Sequence, residues 1–247
     1  MNSNQFDDQF NAITNSWNYW LSPIYDELVN EWYFNYSSFA EGIYDLCSDK
    51  HIRVISELCI GSWNAMKEII DRFGDNITYQ WIDLDTDMLN KCKFNLWGKE
   101  IKLLKWDISK AALPQKSDVI FSHSADPMIF WEDEWYISLA LNSSTQFKEI
   151  LLNVFHNLNK QGIFIINIEQ RWKEFPDRFD VEILREQSKV KSRIIYTIID
   201  SKDNEKYFLA LEKIPELDMK SVNEIVKETG FIDFKIDKYN RFVVFKK

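Results

Sequence analysis

Three acids stand at or just past the ends of stretches that read as β-strands: Glu57 in V-I-S-E-L, Asp83 in Q-W-I-D and Asp107 in L-L-K-W-D. Between the first two lies Gly61, the only glycine in S-E-L-C-I-G-S-W-N. Asp83 follows it at the spacing of about 20 residues expected for an acid that accepts a pair of ribose hydroxyls. A nucleoside site on a parallel sheet needs a turn of close approach after strand one and an acid at the tip of strand two. It also needs a polar group past strand three to read the base, and the chain supplies all three in that order. Two further strand tips end in groups able to take a proton. His123, beside Ser122, closes D-V-I-F-S-H, and Glu169 closes I-F-I-I-N-I-E. Both are candidates for general-base work, with a loop-bonded polar residue as the plain reading of His123.

The elements that must position these residues alternate. Strands are expected at 53–58, 78–83, 102–107, 118–123 and 163–168. The helix after the first begins at Ser62 and carries Met66, Ile69, Ile70 and Phe73 at the i, i+3, i+4, i+7 spacing of one buried face. Gly74 closes it. Another begins near Asp85 and carries Met88, Leu89, Cys92 and Leu96. The strongest begins at Ser143 or Ser144 and aligns Phe147, Ile150, Leu151, Val154, Phe155 and Leu158. Strands alternating with helices of this length imply an α/β fold with a doubly wound, mostly parallel sheet. The rhythm changes near the end. Residues 194–199 and 206–214 read as a hairpin, a helix follows Asp218, and 231–236 with 242–245 read as a terminal antiparallel pair. The division expected is a helical cap or lid over 1–50 and a cofactor-binding domain over 51–247, with insertions at 125–145 and 170–215.

Composition narrows the partners. The net charge is −9 and no run of Lys or Arg forms a stripe, so a nucleic-acid partner is not expected. The start, M-N-S-N-Q-F-D-D-Q-F, is acidic and polar rather than signal-like, and no apolar run approaches the ~20 residues of a membrane span. The 3 cysteines form no C-x-x-C pair, which suits reduced thiols in the cytosol. His51, His123 and His156 are too scattered for a metal site. Aromatics make up 15% of the chain, with 10 Trp. Most are expected in the core of so glycine-poor a sequence.

With these residues in view, the chain resembles the class I S-adenosylmethionine-dependent methyltransferases over about residues 50–247. E-L-C-I-G-S-W-N aligns with the family's first turn. Glu57 stands at its acid, Gly61 at the middle glycine, and Cys59 and Trp63 at the two flanking glycines. W-I-D-L-D-T-D-M-L is similar to the second block, which implies Asp83 and Leu84 at the ribose. K-W-D-I-S-K-A-A-L-P is similar to the third, which implies Asp107 and the Ile108 backbone at adenine. D-V-I-F-S-H-S, with Ser122, is similar to the fourth-strand block. The resemblance implies S-adenosylmethionine as cofactor and S-adenosylhomocysteine as its product. The replacement of two glycines by Cys59 and Trp63 leaves open a copy that binds cofactor without catalysis. An RNA or protein methyltransferase is a further alternative, and a nicotinamide dehydrogenase fits the strand-three acid less well.

A small-molecule acceptor with a methylated nitrogen, on an amine or planar heterocycle, is the expected substrate. Trp131 and Trp135 lie in the aromatic, acidic insertion D-P-M-I-F-W-E-D-E-W-Y, where ring faces attract cations by roughly 0.5–2 kcal/mol each. Against that stands an amphipathic loop helix with its rings in the core. Tyr25 and Tyr33 would reach the substrate from a lid. I-E-Q-R-W-K is similar to a block of glycine and sarcosine N-methyltransferases. If that narrower match holds, Arg171 would clamp a carboxylate; a surface Arg in a charged loop is the plainer reading.

Overall fold

The computed structural model describes residues 5–13, 36–58, 64–83, 86–95, 101–105, 107, 109–110, 112–122, 129–132, 134–138, 144–169, 178–187, 192–213, 219–238 and 242–247. In chain order the elements are helix α1 (5–13), α2 (Tyr36–Cys47), β1 (Val54–Leu58), α3 (Asn64–Phe73), β2 (Thr78–Asp83), α4 (Thr86–Asn95), β3 (Ile101–Lys105) and β4 (Ser117–Ser122). There follow β5 (Ile129–Glu132), β6 (Glu134–Ser138), α5 (Ser144–Asn157), β7 (Leu158–Glu169), β8 (Phe179–Gln187), β9 (Ser192–Asp200), β10 (Lys206–Lys213), α6 (Met219–Thr229), β11 (Asp233–Ile236) and β12 (Phe242–Lys246).

Strands β3, β2, β1, β4 and β7 lie side by side and all parallel; β12 then pairs antiparallel with β7, and β11 with β12. That is the doubly wound sheet expected from the alternation, with its terminal antiparallel pair. Both faces are covered. On one, Ile55, Trp81, Val119, Phe121 and Ile165 pack against α2, α3 and α4. On the other, Ile82, Ile120, Phe164, Ile166 and Phe245 pack against α5 and α6. Burial on both faces explains why the strands read as near-continuous apolar runs rather than as alternating ones.

Polar residues fasten the sheet at the amino-terminal ends of its strands. The Asp118 carboxylate accepts the backbone N–H groups of Arg53 and Val54 through Oδ2, at 2.8 and 3.0 Å, and the Asn159 amide through Oδ1 at 2.7 Å. Deeper, Ser56, Gln80 and Ser117 satisfy one another: the two hydroxyls lie 2.7 Å apart, and the Gln80 amide donates to Ser56 and to the Gln115 carbonyl.

Three features depart from the sequence reading. Strand β7 begins at Leu158, earlier than expected, so Leu158 is its first residue rather than the last of the helix. Gln161 adopts a positive φ of 67°, and the pairing with β4 shifts register between Ser117 and Val119. This irregularity lets one long strand follow α5 directly. The 125–145 insertion contains a β5–β6 hairpin rather than a loop helix. Finally, the expected β9–β10 hairpin gains a third strand, β8, in a stretch that alternates charged and apolar residues. The hairpin joins β5 to the carboxyl end of β7 and β6 to β10, so a second, largely antiparallel sheet of β5, β6, β10, β9 and β8 grows from that end.

Candidate active site at the carboxyl edge of the sheet

Glu57 is the next-to-last residue of β1 and is level with Trp81 on β2 and Phe121 on β4. Parallel strands place level residues on one face, so its carboxyl group is flanked by two rings, both 0% exposed. Glu57 is itself 0% exposed, and neither carboxyl oxygen has a hydrogen-bond partner. The contrast with Ser56, one residue earlier and fully bonded on the opposite face, is informative. The sheet that satisfies Ser56, Gln80 and Ser117 leaves this acid open, and an unmatched buried acid costs several kcal/mol if ionised. Burial pushes the Glu57 carboxyl well above the usual carboxylate range, and the nearby charge of Asp83 pushes it further.

Asp83 ends β2, two positions past Trp81 and on the same face as Glu57, and it is half-buried. Its register partner on β3 is Lys105, whose ammonium donates to the Thr86 hydroxyl at the start of α4. Asp107 lies two residues past the end of β3, not at its tip, because the strand stops at Lys105. Its Oδ1 accepts from the backbone N–H and hydroxyl of Ser109, at 2.9 and 2.7 Å, and its Oδ2 is 3.6 Å from the Lys110 ammonium. The Ser109 hydroxyl bond chiefly holds this carboxyl below the usual carboxylate range. One oxygen of Asp107 is thus committed locally, while its side chain is 42% exposed. Ser122 ends β4, buried and level with Leu58, on the opposite face from Glu57.

The fold therefore brings Glu57, Asp83, Asp107 and Ser122 to one edge, where a parallel sheet offers its crevice. Glu169 ends β7 at the same edge, and its backbone pairs with Phe130 of β5. Trp131 and Trp135 face each other in register across the β5–β6 hairpin, which is attached there. Cys59, Gly61, Trp63, Leu84, Ile108, His123, Tyr25, Tyr33 and Arg171 lie outside the described residues, as do the side chains of Glu169, Trp131 and Trp135.

Two residues at this edge escaped the sequence reading. Trp81 is a fully buried indole whose Nε1–H has no hydrogen-bond partner, level with the open carboxyl of Glu57. Asn167 is 3% exposed near the end of β7, on the face that carries Ile165 and Phe121. The signal for Asn167 was an amide among aliphatic neighbours in I-I-N-I; Trp81, in Y-Q-W-I-D, carried none. Among the described residues no group of His, Cys, Asp and Glu could hold a metal. No described helix is long and apolar enough to cross a membrane.

No family model and no curated protein sequence matches the chain. Solved structures do. An S-adenosylmethionine-dependent methyltransferase from Clostridium acetobutylicum superposes with a TM-score of 0.68 at 16% identity, covering 91% of this chain and 96% of its own. An amino pentose methyltransferase from Micromonospora echinaspora, solved with S-adenosylmethionine bound, gives 0.62 at 10% identity over 86% and 92%. A sugar N-methyltransferase from Streptoalloteichus gives 0.62 at 9% identity over 86% and 88%. The chain has the Rossmann-like fold of the class I S-adenosylmethionine-dependent methyltransferases.

Proposed function

We propose that the protein is an S-adenosylmethionine-dependent methyltransferase acting on a small molecule, with a nitrogen as acceptor. The observation that carries this reading is the open, buried carboxyl of Glu57 on the same edge and face as Asp83. The residues present fit the cofactor. Asp83 would accept its ribose hydroxyls with Leu84 alongside, Asp107 and the Ile108 backbone would meet adenine, and Glu57 would face the amino-acid end. Cys59, Gly61 and Trp63 would form the turn beneath it, and Ser122 would line the floor. When bound, the cofactor supplies an electrophilic methyl group on a sulfonium sulfur for in-line displacement. The chain's own contribution is alignment, worth up to about 7–11 kcal/mol in favourable cases. His123 or Glu169 would take the proton that an ammonium acceptor must lose. Trp131, Trp135, Tyr25 and Tyr33 would surround the acceptor, with Arg171 available to an anionic substituent.

A nitrogen acceptor is supported by what two structural neighbours are described as methylating, an amino pentose and a sugar nitrogen. The buried thiol of Cys47 suits a reducing compartment such as the cytosol. A second reading, cofactor binding without transfer, is favoured by Cys59 and Trp63 in place of the family's glycines. The two readings separate by experiment. Calorimetry with S-adenosylhomocysteine is expected to show binding that weakens at least about tenfold in Asp83→Ala; unchanged affinity would defeat the site assignment. Binding without methyl transfer to any of a panel of amino sugars and other amines would favour the second reading.

A further inference from the structure

Glu57 is a sealed acid whose carboxyl oxygens have no hydrogen-bond partner, and among the described residues no cation bears on it. Its strand neighbours are the rings of Trp81 and Phe121. On that face α2 contributes Tyr36, Phe39, Ala40 and Ile43, and α3 contributes Ala65, Met66 and Ile69. Of these only Tyr36 titrates. The one charge that bears on Glu57 among the described residues is Asp83, itself an acid. Among the described residues no lysine or arginine acts on it. The Trp81 indole N–H could donate a single neutral hydrogen bond, too little to offset the desolvation of a carboxylate.

We propose that Glu57 rests as a neutral carboxylic acid and gives up its proton to solvent when a cationic group of the ligand docks beside it, so that binding at this edge is proton-linked. The inference rests on the methyltransferase reading above, which supplies the ligand. An ammonium group arriving at the tip of β1 provides a partner charge that the described residues do not supply. The O–H bond of the acid breaks, its electron pair stays on the carboxylate, and the proton leaves to buffer. Affinity then strengthens with rising pH across the interval between the free and liganded titrations of Glu57, at most tenfold per pH unit for one proton. In the free protein the same group makes stability fall as pH rises. Its folded titration lies above its unfolded one, so the stabilisation is complete below the ordinary carboxylate range and is lost above it.

The test is calorimetry of S-adenosylhomocysteine binding at pH 7 in two buffers of different ionisation enthalpy, on the full chain and on Glu57→Gln. Release of up to one proton per ligand by the wild type, abolished in Glu57→Gln, is the expected result. A binding enthalpy independent of buffer in the wild type, or equal proton release in the variant, overturns the proposal but leaves the methyltransferase reading intact. Absence of any binding overturns both. If Glu57→Gln binds too weakly to titrate, denaturant unfolding without ligand decides. The variant should match the wild type near pH 4 and exceed it increasingly toward pH 8. A variant less stable than the wild type at pH 8 means that Glu57 is charged and paired, which sinks the idea.

Discussion

Glu57 and Asp200 are both sealed from solvent, and their surroundings drive them in opposite directions. Asp200, at the end of β9, accepts from the Arg178 guanidinium through both oxygens and from the Lys202 backbone N–H. The Arg178 bond chiefly holds it below the usual carboxylate range, against the effect of burial. A lowered folded titration stabilises above the unfolded one and is lost as pH falls through the folded one. Asp200→Asn should therefore cost about 1.5–3 kcal/mol at neutral pH, the worth of a charge-assisted pair. The gap to wild type should close in strong acid, as read by denaturant melts at pH 7 and pH 3. The thiol of Cys47 shows the same physics without a partner: burial pushes it up to about 12, so it should resist alkylation in the folded state. None of these environments is visible in the sequence, where Glu57 and Asp200 are two acids in apolar runs.

At the scale of elements, helix ends show how local chemistry and packing combine. Gly74 and Gly230 follow α3 and α6 with φ of +82° and +92°, the left-handed conformation that closes a helix. A Cβ at Gly74 would meet nothing within 4 Å, whereas at Gly230 it would approach the Phe155 ring to 3.0 Å. Gly74→Ala should cost the backbone term alone, about 1–2 kcal/mol. Gly230→Ala should cost that plus about 1–3 kcal/mol of overpacking, because Phe155 is held between Phe231 and the Lys247 ammonium. Thermal melts of the two variants check the order. Gly74 was legible as a helix stop; the ring over Gly230 was not, since Phe155 lies 75 residues earlier.

At the scale of the molecule, α1 is fixed to the second sheet rather than to the first. Phe6, Phe10 and Ile13 pack on Ile195 and Ala210, and the Arg193 guanidinium, 4% exposed, pairs with Asp7 and Glu186 while lying over the Phe6 and Phe10 rings. The second sheet springs from the carboxyl end of β7, the edge that holds Glu57 and Asp83. Residues near the start of the chain are thereby tied to an element attached at the candidate site. Arg193→Met should weaken this docking by about 1.5–3 kcal/mol, lowering hydrogen-exchange protection of the 5–13 amides roughly tenfold to a hundredfold. Equal protection in the variant would show that the rings alone hold the helix.

The sequence by itself determined the parallel sheet, the order of its helices and the placing of Glu57, Asp83 and Ser122 at strand ends. Those follow from apolar periodicity and cap residues, which act over a few neighbours. The start of β7, the β5–β6 hairpin and strand β8 were decided by tertiary structure, because an alternating or aromatic stretch becomes a strand only when a partner edge is present. The displacement of Asp107 past the end of β3 and its bonds to Ser109 likewise depend on where β3 stops pairing with β2. The state of Glu57 was the least legible of all. Its neighbours Trp81 and Phe121 are 24 and 64 residues away in the chain, and only the sheet register closes them around the acid and leaves it without a partner.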